Sequence, residues 1–286
     1  RLSTLGPEIA PPAGFTFNQF LGLGEEPLLF HTGLRNMFPL VREAVGQLID
    51  PARLRWITFG HYEADECGAM NDWLAIAPRA QAACSQVGVL VNLEDFAARP
   101  ARGLTRDEVI DTGRHRFRYV PTPHLPHGWD AGVLFEENSR LLLCSDLFHQ
   151  VGDREPMTSD DVVGRWGHAM ELYQAHPVLM DYMPFTPTTR ARLEELAALQ
   201  PKVLAAMHGS SFVGDGAAAL RAGAGKVRVA TVASVATALG VAMPEIAVFP
   251  MPEDADGEIF CLSDGLGDSI TRSDAAVVGP AMNRGE

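Results

Sequence analysis

The sequence predicts an α+β fold in which two mixed β-sheets carry helices on their outer faces. Short β-rich runs and helical segments mix along the 286 residues, but without the strict strand–helix–strand regularity of a Rossmann or TIM fold. The chain has no glycine phosphate loop and no internal repeat. Its length allows a full-sized core in one large domain or two small ones.

The first part of the chain alternates predicted strands with helices. Residues 1–14 are rich in Pro and Gly and are expected to form a loose lead-in. The Gly24-Glu25-Glu26 turn separates two predicted strands, and Pro51 ends the first predicted helix. We predict strands at residues 15–23, 27–31, 54–59 and 87–91, and helices at residues 37–48 and 69–77.

The second part of the chain continues this mixture. We predict strands at residues 116–120, 133–135, 140–144 and 203–207. Ser159 is a predicted N-cap for a helix that stops before Pro177, and a second helix covers residues 189–199. We therefore expect one domain at residues 15–222. Residues 223–286 are expected to be an appended element or tail, with a helical stretch near 227–239 and strands at 246–249 and 258–262.

Charge and cysteine content exclude several classes of partner and compartment. The net charge is −13, from 36 acidic and 23 basic residues, so we expect no nucleic acid and no anionic membrane as a partner. The four cysteines are far apart, which favours free thiols over a disulfide framework. No apolar stretch approaches the roughly 20 residues that span a bilayer, and no signal pattern is present. We expect a cytoplasmic protein.

Metal-ligand residue types follow the predicted strands. His61, Asp146 and His208 each come directly after an apolar strand, and His127 lies in the loop after residues 116–120. Side chains at the carboxyl ends of several strands converge on one edge of a sheet, where a rigid scaffold can aim them. These four segments are therefore expected to meet.

The segment from His61 to Glu66 is the richest of these in ligand types. In an extended segment, alternate residues face one side, so His61, Glu63 and Asp65 can present one nitrogen and two carboxylates together. The segment alone also fits a solvated turn in which Asp65 and Glu66 cap the next helix. The later histidines and Asp146 favour the metal site.

The order of these segments resembles the metallo-β-lactamase superfamily, in which ligands arrive in sequence from such strand ends. The HxExD pattern at residues 61–65, in place of HxHxDH, is similar to the di-iron branch, which contains the flavodiiron proteins and their oxygen-binding di-iron (ODP) relatives. The resemblance covers about residues 15–215. It implies the αββα sandwich of that superfamily and a pair of metal ions.

The resemblance also implies roles for individual residues. One metal would be held by His61, Glu63 and His127, the second by Asp65 and His208, with Asp146 bridging the two. His127 is preferred to His124 because Asp130 follows it by three, like the HxxD spacing of the family. His124, Tyr62 and His149 are then candidates for the outer neighbours that orient the ligands.

Glu66 departs from the family pattern, which usually has His directly after the Asp. Two interpretations stay open. Either Glu66 ligates the second metal as a carboxylate, or that metal has an open position or a water. Glutamate in place of imidazole favours iron, or manganese, over metals that prefer soft ligands. We expect two iron ions, with two zinc or manganese ions as the alternative.

Three functions fit this pattern. The first is reduction of dioxygen or nitric oxide by a di-iron oxidoreductase, with electrons from a separate donor protein, because no flavodoxin-like domain and hence no flavin is expected in this chain. The second is an oxygen-sensing di-iron module that binds without turnover and signals through a partner. The third is a di-zinc hydrolase that uses a metal-bound hydroxide. The resemblance is also compatible with a homodimer.

Overall fold

Two β-sheets that face each other form the centre of the larger part of the protein. The computed structural model describes residues 1–7, 13–179, 182–223, 228–242, 247–259 and 261. The chain divides into two compact units, Arg1–Ala224 and Gly225–Glu286. Both large sheets belong to the first unit.

The first sheet has the strand order β1-β2-β3-β4-β5-β6. Its strands are β1 (Leu2–Gly6), β2 (Phe15–Gly22), β3 (Leu28–Phe30), β4 (Trp56–Thr58), β5 (Gln81–Ser85) and β6 (Arg102–Leu104). Strands β1 to β3 are antiparallel, and β3 to β6 are parallel. Residues 1–14 are therefore not simply a loose lead-in, because all of β1 pairs with β2.

The second sheet has the strand order β11-β13-β12-β10-β9-β8-β7. Its strands are β7 (Val109–Asp111), β8 (Arg116–Pro121), β9 (Gly132–Glu136), β10 (Leu141–Ser145), β11 (Met157–Thr158), β12 (Val203–Ala206) and β13 (Ser211–Val213). Strand β10 is parallel to β12 and antiparallel to β9. Both sheets are therefore mixed, as predicted.

Helices connect the strands. They are α1 (Phe38–Gly46), α2 (Ala64–Cys67), α3 (Met70–Ile76), α4 (Gln86–Gly88), α5 (Glu94–Phe96), α6 (Val162–Gln174), α7 (Thr189–Ala198), α8 (Gly216–Gly223) and, in the second unit, α9 (Ala233–Ala242). A π-helical turn at Val89–Leu93 joins α4 to α5. Among the described residues, no helix combines the length and the apolar character needed to cross a membrane.

The alternation of side chains along each strand produces a layered core. In β3, Leu28 and Phe30 face the second sheet and pack in a cluster that includes Phe117 and Leu143. Leu29, between them, faces the other way and packs against the helices outside the first sheet. Successive residues of a strand point to opposite faces, so one short apolar run serves two layers.

The outer faces of both sheets are covered by helices. Val41 and Val45 of α1 and Trp73 and Leu74 of α3 pack on the first sheet. A further cluster joins the second sheet to α6, α7 and α8; its helical members are Val162, Trp166, Leu193, Leu196, Ala197, Ala217, Ala219 and Leu220. The predicted α+β class, with two mixed sheets and outer helices, is confirmed.

One predicted strand is wrong. The alternation of strands and helices predicts a strand at residues 87–91, but residues 86–96 are helical and the strand is β5. Ser85 ends β5, and its hydroxyl accepts a hydrogen bond from the backbone N–H of Gly88 (2.9 Å). A serine cap of this kind begins a helix. The local cap therefore decides the structure over the strand propensity of valine.

The second unit contains a small parallel pair of strands. They are β14 (Arg228–Val232) and β15 (Ala247–Met251), paired along their whole length and separated in sequence by α9. The helix predicted near 227–239 is therefore a strand in its first part. The strand predicted at 258–262 is represented by one bridge between Glu253 and Ile259. Residues 246, 260 and 262–286 lie outside the described residues.

Asn18 of β2 joins the two large sheets through hydrogen bonds at the end of β12. Its backbone N–H donates to the carbonyl of Met207 (2.9 Å). Its side-chain amide donates to the carbonyls of Ala206 and Gly209, both at 2.9 Å. Asn18 is fully buried. The end of β12 is therefore held directly against β2 by three hydrogen bonds.

The contact between the sheets can be tested at Leu28. Leu28→Ala should lower the free energy of unfolding by about 2–5 kcal/mol, because a fully buried leucine leaves a cavity between the sheets. Urea denaturation measures this change. The control is Leu40→Ala on α1, whose residue is 55% exposed and should change the value by less than about 0.5 kcal/mol. Equal effects of the two substitutions would contradict the packing described.

Candidate metal centre

Imidazole and carboxylate groups from four segments meet at the edge where several strands end. His61 follows β4, Asp146 follows β10 and His208 follows β12, while His127 lies in the loop between β8 and β9. Their ligand atoms form two groups, in each of which all atoms lie within 4.8 Å of one another. One group is His61, Glu63, His127 and Asp146, and the other is Asp65, Asp146 and His208.

The first group places two imidazole nitrogens against two carboxylates. Nε2 of His127 lies 3.0 Å from Oε1 of Glu63, and Nε2 of His61 lies 3.3 Å from Oε2. The same two nitrogens lie 3.6 and 3.8 Å from Oδ2 of Asp146. Although burial raises the pKa of Glu63, the hydrogen bond with His127 and the nearby imidazole of His61 lower it to about 2. Glu63 is therefore an anion at neutral pH.

The second group shares Asp146 with the first. Nε2 of His208 lies 3.3 Å from Oδ1 of Asp146 and 3.2 Å from Oδ2 of Asp65. Burial opposes the charge of Asp146, but the neighbouring imidazoles of His208 and His61 hold its pKa below the usual range. Since one oxygen of Asp146 faces each group, this carboxylate is placed to bridge two cations.

The histidines are oriented with Nε2 towards the carboxylates. Nδ1 of His208 donates to the backbone carbonyl of Thr16 (2.8 Å). Nδ1 of His61 lies 3.2 Å from the hydroxyl of Ser145. Because such a partner holds one proton at Nδ1, loss of the other proton from Nε2 would leave a lone pair there for a metal.

Unpaired buried atoms support this assignment. Nε2 of His61 and Oδ1 of Asp146 are both buried without a hydrogen-bond partner. Buried polar atoms are nearly always paired in proteins, so each unpaired atom calls for an explanation. Two bound cations would supply the missing partner of both atoms. The donor set of imidazoles and carboxylates fits iron, manganese or zinc.

Six of the seven predicted ligands are gathered in the two groups. Glu66 lies in neither, contrary to the interpretation in which it ligates the second metal. Its Oε2 accepts hydrogen bonds from the backbone N–H groups of Gly60 (2.7 Å) and His61 (2.8 Å). The carboxylate is thus directed towards the end of β4, behind His61. The other interpretation, in which the second metal lacks a ligand there, fits this geometry.

The predicted outer neighbours have different positions. His124 is exposed and its backbone N–H donates to the carbonyl of Gly128, so the imidazole in the group is that of His127. The ring of Tyr62 packs edge-on against Phe96. Its backbone N–H donates to the carboxylate of Asp130 (3.0 Å), which links the HxExD segment to the loop carrying His127.

His149 is buried beside the second group. Its ring packs against those of Tyr173, Tyr182 and Phe15. Burial lowers the pKa of His149 to about 3, so its ring is neutral at physiological pH. His149 is therefore one of the side chains that surround the second group.

Tyr182 lies in the loop between α6 and α7, and no sequence pattern marks it as a site residue. Its hydroxyl donates to Oδ2 of Asp146 (3.1 Å) and lies 3.3 Å from Nδ1 of His149. The ring packs edge-on against His127 at 4.4 Å. Burial, with the Asp146 charge, raises the pKa of Tyr182 well above its usual value. Tyr182 therefore keeps its proton and directs it at the carboxylate of Asp146.

Comparison with known proteins shows what this chain is similar to. A family model described as "ODP family beta lactamase" matches residues 15–209. Rubredoxin-oxygen oxidoreductase from Megalodesulfovibrio gigas is 24% identical over 208 residues, which are 71% of this chain and 50% of that protein. Putative diflavin flavoprotein A 1 from Nostoc sp. is 30% identical over 138 residues, or 47% of this chain and 24% of that protein.

A relative of a different kind also matches. The ADP-dependent (S)-NAD(P)H-hydrate dehydratase from Xanthomonas campestris pv. campestris is 49% identical over 67 residues, which are 23% of this chain and 23% of that protein. The chain thus spans only about a quarter of the length of these curated relatives, apart from the oxidoreductase, of which it spans half.

Solved structures share the fold. A flavoprotein from Thermotoga maritima matches with a TM-score of 0.65 and 19% identity over 87% of this chain and 68% of that one. Rubredoxin oxygen:oxidoreductase from Desulfovibrio gigas matches with a TM-score of 0.64 and 19% identity over 84% of this chain and 64% of that one. At this level of identity the structures establish the architecture.

The bridging position can be tested at Asp146. Asp146→Ala should lose metal from both groups together and lower the thermal midpoint, because bound metal stabilises the folded state by about 2.7 kcal/mol per site at 100 times its Kd. Metal quantification and thermal denaturation after loading measure both effects. The control is Asp153→Ala, whose side chain is exposed. Loss of metal from one group alone would argue against the bridge.

The hydroxyl of Tyr182 gives a second test. Tyr182→Phe keeps the ring against His127 but removes the donor to Asp146. The metal-free protein should lose about 1.5–3 kcal/mol of stability, the usual contribution of a hydrogen bond to a charged group. The number of bound metal ions should stay the same. A variant as stable as the parent would show that this hydrogen bond does not support Asp146.

Proposed function

Because the chain belongs to the ODP family of β-lactamase-fold proteins, we propose that it is a di-iron protein that binds or reduces dioxygen or nitric oxide. The observation that carries the proposal is the pair of ligand groups that share Asp146. Two cations bound there would lie side by side at one buried carboxylate. This arrangement suits a small molecule that takes electrons from both metals.

Iron is favoured by the chemistry of the donors. The first group has two imidazoles and two carboxylates, and the second has one imidazole and two carboxylates, with Asp146 common to both. Zinc sites with catalytic roles commonly rely on more imidazole, whereas carboxylate-rich sets suit harder, redox-active metals. Three carboxylates against two divalent ions leave the site one positive charge in excess. That excess favours an electron-rich ligand.

The protein encloses the position where such a ligand would react. Phe15 stacks on His208 with ring centroids 5.0 Å apart, and Tyr173 packs on Phe15 and His149. An apolar wall of this kind excludes water and strengthens the electrostatic interactions inside it. When bound, a pair of ferrous ions supplies two electrons and affinity for dioxygen or nitric oxide.

Tyr182 provides a protonated hydroxyl beside Asp146. Its O–H donates to Asp146, and its oxygen can accept from Nδ1 of His149, which is neutral. These two contacts hold the hydroxyl of Tyr182 between Asp146 and His149. Tyr182 is therefore placed to donate a hydrogen bond to a small molecule that replaces the Asp146 contact.

We propose that the electrons come from a separate redox protein. One relative is by name a rubredoxin-oxygen oxidoreductase, and others are named diflavin flavoproteins. The sequence by itself predicts no flavin in this chain. If such a donor is absent, the same site serves as an oxygen-sensing module, which binds without turnover.

Anaerobic purification with metal quantification tests the proposal. The chain should contain two iron ions, and exposure of the reduced protein to oxygen should change its visible absorption. Oxygen consumption with a supplied reductant and an iron–sulfur or flavin mediator separates a reductase from a binding module. Asp146→Ala should show neither the absorption change nor the consumption. Two colourless zinc ions per chain would instead support the hydrolase.

A further inference from the structure

Glu66 occupies the place where three strand ends meet behind the metal centre. Its side chain is fully buried. Its Oε2 accepts from the backbone N–H groups of Gly60 and His61, at the end of β4. Its Oε1 accepts from the hydroxyl of Ser145, at the end of β10, and lies 3.3 Å from Nε2 of His31, which follows β3. One carboxylate thus connects both sheets.

Two of these partners have an unusual backbone conformation. His31 has φ of +66° and Ser145 has φ of +54°. Non-glycine residues adopt positive φ only at an energetic cost and keep it where the surroundings impose it. In both residues this conformation brings the side chain to Glu66. The contacts with Glu66 therefore account for the backbone conformation of His31 and Ser145.

The same carboxylate sets the orientation of a metal ligand. Nδ1 of His61 lies 3.3 Å from Oε1 of Glu66, while its Nε2 faces Glu63 and Asp146. A carboxylate behind a ligating histidine fixes its tautomer and the direction of its ring. Because Glu66 also holds the backbone N–H of His61, both the ring and its attachment point are fixed.

Because its carboxylate binds the end of β4, Glu66 does not contribute a ligand atom to the second group. Asp65 and Glu66 are neighbours in α2, but Asp65 faces His208 at 3.2 Å whereas Glu66 turns to the end of β4. Among the described residues, the second group has three ligands and the first has four.

We infer that Glu66 is a positioning residue that holds His61 for the first metal and leaves the second metal position one protein ligand short. The two positions therefore bind metal with unequal affinity, and the position at Asp65 and His208 is filled last. This inference rests on the proposed metal centre, but not on the identity of the metal or on the reaction with oxygen.

Cobalt(II) titration of the chelator-treated protein tests the inference, because cobalt(II) reports its coordination in the visible spectrum. The parent should take up two ions in two separate phases. Glu66→Gln should lower the thermal midpoint of the metal-free protein and weaken the first phase about 10–100-fold, the usual effect of losing a residue that orients a ligand. The visible bands of the first bound ion should also shift.

Asp65→Asn should give the opposite pattern, which is the one expected when a ligand of the second group is lost. It should remove the second phase, leave the first phase and its visible bands unchanged, and not lower the thermal midpoint of the metal-free protein. If Glu66→Gln behaves like Asp65→Asn, then Glu66 is a ligand and the inference is wrong. Two equal phases in the parent would also overturn it.

Glu136→Gln is the matched control for neutralising a buried carboxylate. Glu136 is 2% exposed and accepts from the backbone N–H of Ser139 (2.7 Å) and from its hydroxyl, at the far end of β9. This variant should lose stability without any change in either cobalt phase or in the visible bands. If its first phase weakens as much as in Glu66→Gln, the effect at Glu66 is general destabilisation and the inference falls.

Ser145→Ala keeps the test decisive if Glu66→Gln does not fold. It removes one donor to Glu66 and should weaken the first cobalt phase, by less than Glu66→Gln would. An unchanged first phase would contradict the positioning role. Failure of the parent to bind cobalt at all is a separate outcome, because it would remove the proposed metal centre itself.

Discussion

Asp146 carries a negative charge where almost no water reaches it, and this constraint organises the rest of the site. A buried carboxylate costs several kcal/mol unless charges and hydrogen bonds compensate it. Here His208 and His61 provide positive character, and Tyr182 provides a donor. Glu63 and Asp65 add further negative charge to the same small volume. Although burial opposes it, Asp146 and Asp65 raise the pKa of His208 to about 10, and nearby carboxylates also raise the pKa of His61 well above its usual value. Without metal, the carboxylates are therefore balanced by protons on the histidines, and a pair of divalent cations would replace those protons.

Much of the architecture could be predicted because a short apolar run indicates a strand that is buried on both faces. Leu28, Leu29 and Phe30 alternate between two cores, which marks β3 as a strand covered on both faces. Residues 87–91 could not be predicted in the same way. Their valines favour a strand, but a hydrogen bond to the Ser85 hydroxyl begins a helix there, and such a cap depends on where β5 ends.

The ligand set was more predictable than its surroundings. The six residues gathered here are of metal-binding types and follow strands, so their order in the sequence is informative. The roles of neighbouring carboxylates are harder to predict, because nothing in Asp65-Glu66 shows which side chain faces the two ligand groups. The backbone N–H groups of Gly60 and His61 bind Glu66 and so leave Asp65 in that position. Tyr182 comes from a loop with no periodic pattern, and only the folded chain brings it to Asp146.

The three hydrogen bonds of Asn18 have a kinetic consequence. They join β2 to the end of β12, so His208 reaches Asp65 only after the two sheets have docked. Contacts between residues so distant in sequence form late in folding, since the intervening chain must first be ordered. An unfolded or half-folded chain therefore offers no complete cage for an ion. Binding of metal at both positions is therefore expected to follow the docking of the two sheets.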